Sequence, residues 1–109
     1  MNTVEVGPLV YAIIEDPALV DSDEYGEFRP HAGEIALRPG MPPTLRRETL
    51  LHEVEHAVAF VAGFRDGDKK YTEEEFVTRC SPIRSDAYRR NPGLVDMFLE
   101  PWVRLVEPE

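Results

Sequence analysis

The reading of this chain turns on Thr44-Leu45-Arg46-Arg47-Glu48-Thr49-Leu50-Leu51-His52-Glu53-Val54-Glu55-His56-Ala57-Val58-Ala59-Phe60-Val61-Ala62-Gly63. The strong breaker Pro39-Gly40-Met41-Pro42-Pro43 comes just before it. Thr44 is an acceptable N-cap and Gly63 a suitable stop, so the pattern predicts a helix over residues 45–62. At about 100° per residue, Leu50, Val54, Ala57, Val58 and Val61 share one arc, while His52 and His56 share another. A core face and a histidine face are therefore expected on the same helix.

His52-Glu53-Val54-Glu55-His56 is an H-E-x-x-H sequence. Histidines at i and i+4 project from adjacent turns, so both imidazoles can reach one tetrahedral Zn²⁺ at ~2.0–2.1 Å. A carboxylate directly after the first histidine points to the side of such a site. From there Glu53 can hold and deprotonate a water whose pKa the ion has lowered to ~7. The polar trio also sits on an otherwise apolar helix, where burial is costly unless the groups have a partner.

Outward from that helix, residues 1–40 read as strands and turns. Val4-Glu5-Val6 and Leu9-Val10-Tyr11-Ala12-Ile13-Ile14 are β-branched and aromatic, and Gly7-Pro8 separates them. Two further strands, Gly26-Glu27-Phe28-Arg29 and residues 33–38, are expected to pair as a hairpin around Pro30-His31-Ala32. After the helix comes a polar loop. Its Asp66-Gly67-Asp68 is a weak calcium signal, because the downstream bidentate Glu of a calcium loop is missing. Thr72 followed by Glu75 has capping-box spacing and predicts a second helix to about Arg90, with Pro82 as a candidate kink. Asn91-Pro92-Gly93 breaks the chain, and residues 94–100 form a short third helix before an apolar tail containing Trp102. The fold class expected is α+β: one domain over residues 1–109, β-rich over 1–40, helical over 44–100, with a tail over 101–109. Its small N-terminal sheet is expected to be antiparallel.

A zinc site needs a third protein ligand. The candidates are His31 and the run Glu73-Glu74-Glu75 that opens the second helix. Glu75 is occupied by the capping box. Glu74 shares a stripe with Val77 and Ser81 and is expected to point between the helices, so it ranks first, then Glu73.

Composition narrows the function classes. Twelve Lys and Arg against twenty-one Asp and Glu give a net charge of −9, which argues against a nucleic-acid groove. A single cysteine, Cys80, excludes an internal disulfide and any multi-thiolate metal site. No run approaches the ~18 apolar residues of a membrane span, and the N-terminus lacks the basic start of a secretory signal. The expectation is a cytoplasmic protein without nucleic-acid or membrane partners.

Arg47-Glu48-Thr49-Leu50-Leu51-His52-Glu53-Val54-Glu55-His56-Ala57, then Thr72-Glu73-Glu74-Glu75-Phe76-Val77, then Asn91-Pro92-Gly93-Leu94-Val95, resembles the short phage and bacterial relatives of the ImmA/IrrE-type metallopeptidases. The resemblance covers roughly residues 26 to 99. It implies a minimal zincin fold of gluzincin type, with His52, His56 and Glu74 as Zn²⁺ ligands and Glu53 as general base. Phe76, Val77 and Thr78 depart from the small residue and Asn that follow the third-ligand Glu in larger members. The implied activity is hydrolysis of a protein or peptide substrate, with His31, Tyr71 or Tyr88 stabilising the oxyanion and residues 33–37 as the edge on which substrate docks. Two alternatives come from other classes: a non-catalytic, zinc-stabilised structural or interaction protein, phage-encoded, and an antitoxin-like regulatory binder steered by the acidic surface.

Overall fold

The computed structural model describes residues 1–65 and 70–97. Four strands form one sheet: β1 (Thr3–Val6), β2 (Leu9–Glu15), β3 (Gly26–Arg29) and β4 (Glu34–Leu37). Alternation sets its faces. Val4, Tyr11, Ile13, Phe28, Ile35 and Leu37 project to one side and enter the core. Helix α1 (Pro43–Val61) lies over β3 and β4, and α2 (Glu73–Arg90) lies over β1 and beside α1. The result is a two-layer α+β arrangement with its core between sheet and helices.

The strand order is β1-β2-β4-β3, and the sheet is mixed rather than antiparallel as expected. β1 and β2 form a hairpin, and so do β3 and β4, but β4 runs parallel to β2. The reason lies in the connection after β2. A short 3₁₀ turn over Pro17–Asp21 carries the chain past the neighbouring lane, so β3 is laid down at the far edge. The tight β3–β4 turn then returns β4 into the gap. Consequently residues 33–37 are interior to the sheet, and the edge beside α1 is β3. The substrate edge expected at 33–37 is corrected accordingly.

Helix α1 begins two residues earlier than Thr44 would set it. Pro43 takes the first helical position, where its missing N–H costs nothing, and Pro42 precedes it without a side-chain cap. The helix ends as its sequence suggests. Gly63 adopts φ +96°, its N–H bonds to the Phe60 carbonyl and the Phe64 N–H bonds to the Ala59 carbonyl. This is the Schellman pairing that needs a left-handed residue, and it turns Phe64 back into the core. The start of α2 is also as expected: Thr72 Oγ1 accepts from Glu75 N–H at 3.0 Å. The helix runs on through Pro82 to Arg90, and residues 92–97 are helical again. The rest of the third helix, the apolar tail and the Asp66-Gly67-Asp68 stretch lie outside the described residues.

Polar links fasten the two helices to each other and α2 to the sheet. Glu55 on α1 receives three bonds from the Arg84 guanidinium on α2, at 2.6 to 2.9 Å. Asn91, buried at the end of α2, accepts from Glu5 N–H at 3.0 Å and donates to the Glu5 carbonyl at 2.7 Å. It thereby occupies the outward backbone groups of Glu5 in edge strand β1. No helix of the described residues is long and apolar enough to cross a membrane.

Candidate metal centre

Leu50, Val54, Ala57 and Val58 bury the core face of α1 as its periodicity requires. With that face against the sheet, His52 and His56 are left exposed on the helix flank, beside edge strand β3. Their Nε2 atoms approach to 3.1 Å, with ring centroids 4.8 Å apart and planes at 78°. Two nitrogens bound to one tetrahedral ion at ~2.05 Å would stand about 3.3 Å apart, so the observed separation fits a shared ion with little adjustment. The donor set, two imidazoles and a neighbouring carboxylate, also suits zinc.

Glu53 is placed differently. It is only 6% exposed and turns toward β3, where Gly26 faces it. A Cβ on Gly26 would come within 2.7 Å of Thr49 Cγ2, 3.1 Å of Glu53 Cγ and 3.2 Å of Glu53 Oε2. The bare backbone of Gly26 is therefore what admits the Glu53 carboxylate between α1 and the edge strand. Burial pushes that carboxyl above its ordinary value of 4.5, His56 and His52 pull it back, and Glu24 and Glu27 add to the rise. One ligand atom from each of His52, Glu53 and His56 can be chosen so that all lie within 4.8 Å of one another.

The three residues open onto a cleft of about 1050 Å³. One side carries Glu24, Glu27 and His31 from β3 and its flanking loops, and the other carries Phe60, Phe64, Tyr71 and Phe76. Phe64 is in ring contact with Tyr71 at 4.7 Å and with Phe76 at 4.9 Å, and Phe28 meets Phe60 at 5.7 Å. Arg65 lies at the cleft with its guanidinium 3.9 Å above the Phe60 ring, donating to the Phe60 and Phe64 carbonyls.

The chain matches no family model, no curated protein and no solved structure.

Of the residues expected in the site, His52, Glu53 and His56 come together and Glu74 does not join them. Glu73, Glu74 and Glu75 are all exposed, and Glu74 Oε1 accepts from Thr78 Oγ1 at 3.4 Å. The stripe Glu74, Val77, Ser81 faces solvent instead of the inter-helix space. The buried side of α2 runs through Phe76, Cys80, Ile83 and Ala87, roughly opposite Glu74 on the helix. His31 and Tyr71 line the cleft, whereas Tyr88 is half-buried away from it. Gly26, Thr49 and the aromatic wall escaped the sequence reading. Gly26 was legible only as a strand start, and Phe60 and Phe64 only as helix and loop residues.

Proposed function

We propose that this chain is a metal-dependent hydrolase of peptide bonds, with His52 and His56 holding Zn²⁺ and Glu53 acting as general base. The convergence of two imidazole Nε2 atoms at 3.1 Å beside a buried carboxylate carries this reading. When bound, a divalent ion supplies Lewis-acid polarisation and makes water a competent nucleophile near neutral pH. Glu53 takes the proton of the attacking water and delivers it to the departing amine nitrogen as the C–N bond breaks. His31 and Tyr71, on the cleft walls, are the donors available to a developing oxyanion. An extended substrate would add along β3, the edge strand facing α1.

The non-catalytic alternative has less support. Both imidazoles come from α1, so an ion held by them alone joins no two elements, and the Arg84–Glu55 bonds already tie α1 to α2. A structural ion would also gain nothing from a carboxylate seated against Gly26.

Metal analysis with a hydrolysis assay tests the proposal. His52→Ala and His56→Ala are expected to lose stoichiometric zinc, and Glu53→Gln to keep zinc while losing turnover. Full metal content in both histidine variants would refute the site. Undiminished cleavage by Glu53→Gln would refute the base. Glu74→Ala is expected to keep zinc, because Glu74 is exposed and accepts from Thr78 rather than grouping with the histidines.

A further inference from the structure

Of the eight phenylalanine and tyrosine rings among the described residues, five line the cleft that contains His52 and His56. Phe64 belongs to the core and Phe28 and Phe76 pack against it, whereas Tyr71 remains 42% exposed. Phe64, Tyr71 and Phe76 make a single mutually packed surface, with Tyr71 and Phe76 stacked at 5.8 Å. A side chain bound there would leave water for ring faces that already have fixed positions.

The opposite wall has another chemistry. Glu24 and Glu27 are exposed at the rim, beside the edge strand. Arg29 Nε pairs with Glu27 at 2.7 Å but is itself shared with Asp16 at 2.6 Å, and no ion pair of Glu24 is formed within 4.0 Å among the described residues. Arg65 is the one Lys or Arg lining the cleft among the described residues, and its guanidinium is engaged over Phe60 and on two carbonyls. The lining of the cleft thus combines aromatic rings from the end of α1 and the start of α2 with the carboxylates of Glu24 and Glu27 from the β3 segment.

Building on the hydrolase reading above, we propose that the cleft selects a peptide segment carrying two features: a large apolar or aromatic side chain for the Phe64–Tyr71–Phe76 surface, and a lysine or arginine within a few residues for Glu24 and Glu27. Apolar burial supplies affinity and the paired charges set the direction in which the segment lies. An acidic segment meets like charge at the rim and is disfavoured.

Labelled peptides of equal length test this, one carrying Lys and Phe, one Glu and Phe, one Lys and Gly. Binding is measured by fluorescence anisotropy to zinc-supplemented Glu53→Gln protein, and cleavage by mass spectrometry with the parent protein. The Lys–Phe peptide is expected to bind about fivefold tighter than Glu–Phe and about tenfold tighter than Lys–Gly. Glu24→Gln with Glu27→Gln should erase the first difference although the chain keeps most of its net charge of −9. Tyr71→Ala should shrink the second. Equal binding of all three peptides, no binding of any, or a Lys preference that survives both glutamine substitutions overturns the selectivity. Selective binding without cleavage of any peptide leaves the selectivity standing and removes the hydrolase reading, whereas indiscriminate cleavage does the reverse.

Discussion

Gly26→Ala probes the contact that seats Glu53. The φ of Gly26 is not positive, so alanine suits the backbone, and by stiffening the unfolded chain it would by itself stabilise the protein by about 0.4–1 kcal/mol. The packing acts in the opposite sense. The new methyl would lie 2.7 Å from Thr49 Cγ2, where carbon atoms ordinarily stand about 3.5–4.0 Å apart, and 3.2 Å from Glu53 Oε2. β3 is held by β4 on its other side, so relief requires about 1 Å of movement by the edge strand or by α1. Overpacking of that size costs about 1–3 kcal/mol, which leaves a net loss of about 1–2 kcal/mol and a fall in Tm of roughly 5–15 °C. Thr49→Ser removes Cγ2 but keeps the hydroxyl, and alone should cost about 1 kcal/mol. Combined, the two substitutions should be at least 0.5 kcal/mol more stable than their separate effects sum to, because the methyls no longer collide. Circular-dichroism melts of the four proteins suffice. A Gly26→Ala protein melting at or above the parent temperature, or strict additivity in the double variant, would refute the contact and with it the placement of Glu53.

Three further outcomes are expected. In chelator-treated protein, Glu53→Gln should melt above the parent at pH 7.5. A carboxyl raised by burial contributes stability that is present below its ordinary 4.5 and lost as pH rises through the folded-state value, so the difference should vanish below pH 4.5; a pH-independent difference would contradict the shift. Asn91→Ala should lower stability by about 3 kcal/mol in urea titrations, since it strands the Glu5 N–H and carbonyl; a loss under 1 kcal/mol would show that water replaces the amide there. A double-mutant cycle between Glu55→Ala and Arg84→Ala should give a coupling of about 1 kcal/mol that falls in 1 M salt, because the pair is partly exposed; zero coupling at low salt would mean that it does not fasten α1 to α2.

What could be read from the sequence was local chemistry. The H-E-x-x-H spacing puts His52 and His56 on one flank of α1 whatever surrounds it, and Gly63 and Thr72 mark helix ends through groups within five residues of themselves. The strand order was not legible, because the parallel pairing of β2 with β4 depends on where a five-residue 3₁₀ turn delivers β3. For the same reason the strand expected to receive substrate lies inside the sheet, and β3 takes its place at the edge. The stripe drawn through Glu74, Val77 and Ser81 looked inward because Val77 is apolar, yet Val77 is 48% exposed. Phe76 and Cys80 decide which side of α2 is buried. Gly26 was beyond reach in another way: its importance is the absence of a Cβ opposite a carboxylate twenty-seven positions later.

Asn91 has a bearing on how the molecule is made. It is 86 positions from Glu5, whose backbone it completes. A ribosome adding about 5–20 residues per second would take roughly 4–17 s to cover that distance. Throughout that interval β1 and β2 can pair, but the outer rim of β1 is open to any passing strand. A rapid first hairpin does not protect that rim, because the group that closes it is synthesised 86 positions after Glu5.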